Sequence, residues 1–189
     1  MNPTMETLDS IQINDQLQLQ AVDPSQQARL FQLMMDIYRP VYQHLWHDDG
    51  SGYVHSQFNP ENLKAELVVP HAHYYFVISR GETIGILRFI MDCPTSKLPQ
   101  VNCIKLHRIY LAPATHGKGI GKLLMVWLEG FAQENGQQTI WLECMDTQLA
   151  AYKFYQKLGY STLEPFVLES PKMKPEYRGM IRMKLDVFQ

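Results

Sequence analysis

The residues with the most evident chemistry lie between Lys105 and Leu128, in the run KLHRIYLAPATHGKGIGKLLMVWL. Gly117, Gly119 and Gly121 recur there at alternate positions, with Lys118 and Lys122 among them. Glycine lets a backbone come close to a ligand because no Cβ intrudes. A strand pattern precedes these glycines and an amphipathic helix pattern follows them. The first turn of such a helix has N–H groups without intrahelical partners and carries the positive end of the helix dipole. This order makes a socket for an anion, and for a diphosphate in particular. Two common nucleotide fingerprints fail on residues. The G-x-G-x-x-G pattern needs a longer last interval than Gly119 to Gly121 provides. The G-x-x-x-x-G-K-[ST] pattern needs glycine where His116 stands and Ser or Thr where Leu123 stands. The bland alternative is a glycine-rich strand-to-helix turn, and three alternate glycines with two lysines argue against it.

The run His116-Gly117-Lys118-Gly119-Ile120-Gly121 resembles motif A of the GNAT superfamily of N-acetyltransferases, [RQ]-x-x-G-x-[GA], with His116 at the first position. The preceding Ile-Tyr-Leu-Ala-Pro is similar to the family's run into this loop. A second stretch, IWLECMDTQLAAYKFYQKLGY, resembles the family's N-x-x-A-x-x-x-Y-x-x-x-G-[FY]. Gln148 stands for the Asn, and Ala151, Tyr155, Gly159 and Tyr160 are in place. The likeness covers residues 106–160, with both motifs in the family's order. It implies acetyl-CoA as acetyl donor, with its pyrophosphate on the backbone N–H groups of the loop. It also implies a sheet that splays between the strands ending at Leu111 and Cys144, where the pantetheine arm enters. The cofactor-binding residues so implied are Ile109, Tyr110 and Leu111 on the strand, His116, Gly117, Lys118, Gly119, Ile120, Gly121 and Lys122 in the loop, and Gln148 and Ala151. Lys118 and Lys122 either add charge near the phosphates or are simply solvated, and Lys118 should cost less if removed, because the backbone carries most of the contact.

Acetyl transfer to an amine has three needs. The amine must lose its proton, since an alkylammonium of pKa about 10 has no free lone pair. The developing oxyanion needs donors, and the departing thiolate benefits from a proton. Tyr155 matches the family's tyrosine near the thioester sulfur and is the expected donor to the thiolate; otherwise it is a core aromatic on a helical stripe. His107 is the expected base, because an imidazole pKa of about 6.5 suits proton uptake at neutral pH. It would share a strand face with Ile109 and Leu111. Glu143 and water remain open as alternatives, since strand parity does not say which face lines the site. A backbone N–H of Ile109 or Leu111 would serve the oxyanion. The resemblance implies direct transfer within a ternary complex, with no role for Cys144. His71-x-His73 and His44-x-x-His47 with Asp48 lack a convincing ligand set, so no metal is expected.

The resemblance also implies that the first helices and the loop between them form part of the acceptor wall, a segment rich here in Tyr38, Tyr42, Trp46, Tyr53, Asp48, Asp49, Glu61 and Glu66. Acids among aromatics suit a cationic amine, and the wider pattern is similar to bacterial polyamine-type acetyltransferases. The acceptor is therefore read as a primary amine of a small molecule, with a polyamine as the refinement. Two alternatives stand beside it: a protein N-terminal or lysine acetyltransferase, and a sensor that binds acyl-CoA without turnover.

These residues need elements to hold them. Residues 1–14 are read as a loose arm and 15–189 as one domain. Gln16 to Val22 alternates as a strand does. Asp23-Pro24-Ser25-Gln26 opens a helix that Pro40 ends or kinks. Asn59-Pro60 opens a second short helix. Strands follow over 73–79, 83–91 and about 101–111, the first two joined at Arg80-Gly81. After the loop, Ile120, Leu123, Leu124, Trp127, Leu128 and Phe131 form the buried stripe of a helix that stops at Asn135-Gly136. A strand over 139–144, a helix carrying Ala151, Phe154, Tyr155 and Leu158, and two C-terminal strands complete the chain. This order gives an α/β three-layer sandwich with a mixed, mostly antiparallel sheet.

The composition is consistent with that reading. A chain of 189 residues can bury one proper core. A net charge of −2 gives no basic footprint for nucleic acid, and no apolar run approaches a membrane span. Cys93, Cys103 and Cys144 are widely spaced without a C-x-x-C and read as reduced thiols of a cytoplasmic protein. The assembly is read as a monomer or a homodimer.

Overall fold

The computed structural model describes residues 10–100 and 102–188. One eight-stranded sheet runs through them in the order β1-β2-β3-β4-β5-β6-β8-β7. Its strands are β1 (Ser10–Asn14), β2 (Leu17–Ala21), β3 (Ala72–Ser79), β4 (Glu82–Ile90), β5 (Cys103–Leu111), β6 (Thr139–Met145), β7 (Ser161–Val167) and β8 (Gly179–Asp186). Every neighbouring pair is antiparallel except β5 and β6. The mixed, mostly antiparallel sheet is the expected one. The arm read over residues 1–14 is corrected at its end: Ser10–Asn14 pairs with β2, Ser10 opposite Gln20. The backbone ladder holds this edge strand although its side chains are mostly polar. The rest of that arm lies outside the described residues.

Helices cover both faces. On one face lie α1 (Gln27–Ile37), α2 (Arg39–Tyr42), α3 (Ser51–Gln57) and α4 (Pro60–Leu67). Asp23 and Gln26 close a capping box on the short 3-10 turn Pro24–Gln26 that leads into α1, and Asn59 caps α4 through the Asn62 N–H at 2.7 Å. The helix breaks at Tyr38, and Pro40 falls in the first turn of α2, where its missing N–H costs no helical bond. Their core joins Leu30, Met34, Val54, Phe58 and Leu63 to Phe76 and Ile86 of the sheet. On the other face, α5 (Ile120–Glu134) and α6 (Leu149–Lys157) pack on Leu87, Phe89, Ile104, Leu106, Ile140 and Leu142. The buried stripe of α5 is turned slightly from the expected one. Met125 and Ala132 join Leu124 and Leu128 in the core, while Leu123 stays 42% exposed.

The feature of the sheet that matters most for a site is at His107. Arg88 lies opposite Arg108 and Phe89 opposite Leu106, so His107 is an extra residue in β5. Such a bulge bends a strand and raises its local twist. The parallel ladder between β5 and β6 ends at the same level, with Leu106 opposite Leu142 as its last pair. Beyond it, β5 follows β4 while β6 follows β8. The bulge also shifts the alternation of β5. Ile104, Leu106, Ile109 and Leu111 face α5 and α6, whereas Tyr110 packs among the N-terminal helices. The expected common face of His107 with Ile109 and Leu111 came from unbroken alternation, which the bulge interrupts.

Candidate active site

A cavity of about 220 Å³ sits where β5 and β6 part. The strands contribute Leu106 through Tyr110 on one side and Leu142 through Met145 on the other. Gln148, Ala151 and Tyr155 border it from α6, and Tyr38, Tyr42, Trp46 and Tyr53 from the N-terminal helices. The segment between β7 and β8 covers its rim, since Met173 forms an isolated bridge with Trp46 and also lines the cavity. Thus the splay brings together His107, Ile109, Tyr110, Gln148, Ala151 and Tyr155, six of the residues singled out in the sequence. Leu111 and the loop residues are not among the lining.

The loop stands apart, at the end of β5. Gly117 and Gly119 have φ of 76° and 78°, left-handed values that favour glycine, and a Cβ at either would meet no protein atom within 4 Å. Gly119 is the N-cap of α5 and supplies no side chain to it. The first helical bond runs from the Leu123 N–H to the Gly119 carbonyl at 3.0 Å, so the N–H groups of Ile120, Gly121 and Lys122 precede the ladder. His116, Lys118 and Lys122 are exposed. Gly121 sits near Phe154 and Leu111, which ties the loop to α6 and to the end of β5. This backbone, aimed outward with the positive end of a 15-residue helix, fits a diphosphate.

Electrostatics under the cavity centre on His107. Arg88 donates through Nη1 to His107 Nδ1. A guanidinium has no lone pair to accept with, so Nδ1 is the acceptor and the ring proton is on Nε2. Burial, and then the charges of Arg108, Arg88 and Lys105, push the imidazole pKa down to about 2. Arg108 donates through Nη1 to both Glu66 oxygens, at 2.7 and 2.8 Å, and through Nη2 to Gln57 at 2.8 Å. Arg88 also donates to the Glu66 carbonyl at 3.2 Å. Both guanidiniums are almost fully buried, at 2% and 3% exposure. Glu143 lines the cavity from β6, and Lys105 at 3.2 Å and Arg182 at 2.8 Å hold its carboxylate.

Tyr155 is buried, and no partner for its hydroxyl is found among the described residues. Burial, then the neighbouring Cys144 and Tyr42, raise its pKa, so it is a phenol at neutral pH. The Cys144 thiol is pushed up to about 11 by burial and by Asp146, which leaves it protonated and a poor nucleophile. Among the described residues, no three His, Cys, Asp or Glu side chains gather as a metal site would require.

The expected acceptor wall is half present. Tyr38, Tyr42, Trp46 and Tyr53 line the cavity, but none of the four acids does. Asp48 accepts from the N–H groups of Gly50 and Gly52 at the start of α3, and Asp49 pairs with Arg39. Glu61 is exposed in the first turn of α4, and Glu66 is engaged by the two arginines. Short polar side chains near helix starts find backbone donors before they find ligands. Sequence reading missed Arg88 and Arg108. Each stands inside an apolar strand, ILRFI and LHRIY, and a charge there implies a buried partner.

Known proteins resemble this arrangement. The model of the acetyltransferase (GNAT) family matches residues 29–160. An uncharacterized N-acetyltransferase of Lactobacillus delbrueckii subsp. lactis is 25% identical over 120 residues, 64% of this chain and 69% of that protein. An aminoalkylphosphonate N-acetyltransferase of Salmonella typhimurium is 27% identical over 101 residues, 53% of this chain and 64% of that protein. Among solved structures, RimL, a ribosomal L7/L12 alpha-N-protein acetyltransferase in complex with coenzyme A, superposes with a TM-score of 0.72 at 16% identity. That match covers 94% of this chain and 97% of the other. The PaiA N-acetyltransferase of Thermoplasma acidophilum, also with coenzyme A, gives 0.66 at 16% identity over 90% and 98%.

Proposed function

This chain belongs to the acetyltransferase (GNAT) family, is an N-acetyltransferase with acetyl-CoA as its acetyl donor, and, we propose, acetylates the primary amine of a small molecule. The observation that carries the acceptor reading is the size and wall of the cavity: about 220 Å³, bordered by five bulky aromatics and by Tyr155 and His107. A space of that size suits an amine with a short substituent. The polyamine refinement is not carried forward, because the acids that suggested it lie outside the cavity lining, three of them bound elsewhere. A peptide N-terminus is the competing acceptor.

In this reading the loop from His116 through Lys122 holds the pyrophosphate, mainly through backbone N–H groups. The β5 edge at Ile109, Tyr110 and Leu111 faces the pantetheine arm, and Gln148 and Ala151 flank it. Acetyl-CoA supplies the acetyl group as a thioester; the amine nitrogen bonds to the carbonyl carbon as the carbon–sulfur bond breaks. Tyr155 keeps its proton and donates a hydrogen bond to the leaving thiolate. His107 changes role: with Nδ1 taken by Arg88 and imidazolium disfavoured, it serves as an Nε2–H donor and not as the base. Water takes the amine's proton. The single domain and a cytoplasmic location remain part of this proposal, the three free thiols being in keeping with a reducing compartment.

The test is acceptor-dependent release of CoA from acetyl-CoA, compared between small primary amines and short peptides. Turnover of small amines with little for peptides is the expected result. Turnover confined to peptides contradicts the acceptor reading.

A further inference from the structure

We infer that the acceptor carries an anionic group, a carboxylate or a phosphorus oxyanion, a few bonds from its amine, and that Arg108 and His107 face that group. The inference rests on acetyl transfer at this same cavity. The first observation is charge. Two ion-pair groups flank the cavity: Arg88 and Arg108 share Glu66, while Lys105 and Arg182 are held by Glu143 and Glu164. Four cations against three carboxylates leave one positive charge over. The surplus lies in the half nearest the N-terminal helices, where Glu66 alone serves two buried guanidiniums. Asp146, just past the end of β6, is exposed and outside the lining.

The second observation is the polar inventory. The Arg88 Nε and the Tyr74 hydroxyl are buried without a hydrogen-bond partner. Of the residues lining the cavity, Arg108 and His107 bring donors, and Gln148 brings an amide with two N–H groups and one acceptor oxygen. Tyr38 accepts from Trp46 Nε1 at 3.2 Å and so keeps its own O–H to give. The Tyr53 and Tyr110 hydroxyls lie 3.3 Å apart and share one hydrogen bond, which leaves a second O–H. The lining carboxylate, Glu143, is taken by two cations. The wall therefore has donors in surplus and little to accept with.

A buried charge without a counter-ion is costly. An ammonium entering this cavity would add to the surplus, and an oxyanion would offset it. The same surplus favours the neutral, nucleophilic form of the amine. An aromatic cage for a cation would need open ring faces. Here Tyr38 and Tyr53 stack on each other with centroids 4.6 Å apart, and Tyr42 lies 4.6 Å from Tyr38, so the rings cover one another.

The experiment uses matched acceptors with the purified protein at saturating acetyl-CoA: β-alanine against its methyl ester, 2-aminoethylphosphonate against its diethyl ester, and propylamine and putrescine. Rates are referred to the concentration of neutral amine. Each oxyanion is expected to exceed its ester by at least about tenfold in kcat/KM. The carboxylate and phosphonate arms show which oxyanion fits better, and a preference in either arm supports the inference. Arg88→Gln removes the surplus charge without altering a lining side chain and should bring the ratio towards one. The wild-type comparison decides the matter if that variant does not fold. Equal or better turnover of the esters, propylamine or putrescine overturns the inference and leaves acetyl transfer standing. No acceptor-dependent release from any amine, peptides included, overturns the proposed function as well.

Discussion

Two side chains that look interchangeable as proton carriers are set apart by their neighbours. His107 has the intrinsic pKa of a neutral-pH base, but burial and three cations hold it neutral, and Arg88 fixes which nitrogen keeps the proton. Tyr155 is the reverse case, since burial strengthens its hold on the proton that a leaving thiolate needs nearby. Two predictions follow from this contrast. Tyr155→Phe should lower kcat by about a hundredfold with the Kd for acetyl-CoA nearly unchanged; an unchanged kcat removes Tyr155 from the chemistry. For His107, the log of kcat/KM should rise with pH towards the amine pKa without a break at about 6.5. His107→Gln, which keeps a donor, should retain more activity than His107→Ala. A break at about 6.5 that His107→Gln abolishes would restore the base role. The identity of His107 was legible in the sequence. Its protonation was not, because that depends on Arg88, a residue 19 positions away and brought alongside only by the pairing of β4 with β5.

The elements were easiest to read where a local signal fixed them. The Asp23 box, Pro40, Asn59 and the Arg80-Gly81 turn, whose φ values of 51° and 81° suit a primed hairpin, all act within a few residues. By contrast, α3 (SGYVHSQ) gave little signal. It contains a glycine, two serines and a branched valine, all weak helix formers, and its N-cap is Gly50 at φ 82°. Packing of Val54, not propensity, holds it. The bulge in β5 is invisible to alternation because two polar residues, His107 and Arg108, stand side by side there and neither marks a face. At this scale the glycines make the sharpest predictions. Gly119→Val should weaken acetyl-CoA binding by at least tenfold, by straining a left-handed φ and crowding the backbone donors; titration calorimetry reads it directly, and unchanged affinity means that the loop does not hold the cofactor. Gly85→Ala acts differently. Its Cβ would run into the Tyr110 carbonyl oxygen across the β4–β5 ladder. A loss of about 1–3 kcal/mol of stability is expected, read from the midpoint of urea unfolding.

Over the whole molecule, two cores clasp one sheet, and the cavity is a gap in that sheet as much as a pocket on its surface. The buried, neutral histidines add a cost that belongs to the fold. His107 and His73 both have pKa values lowered chiefly by burial. A lowered folded pKa means that the unfolded chain binds protons first, so stability is full above about pH 6.5 and falls as pH drops towards the folded values. Each such group adds up to about 1.4 kcal/mol per pH unit within that window. Urea midpoints at pH 7.5 and pH 5 should therefore differ, and His107→Gln should reduce the difference. A wild-type midpoint that is flat between these values contradicts the burial of a neutral His107.

The most direct measurement is the mass of the product formed when the purified protein meets acetyl-CoA and a panel of small primary amines, with released CoA counted in parallel. The account predicts an N-acetylated amine in equal amount to the CoA released, and loss of both in Tyr155→Phe. CoA release that needs no amine, or no acetylated product from any member of the panel, would contradict it.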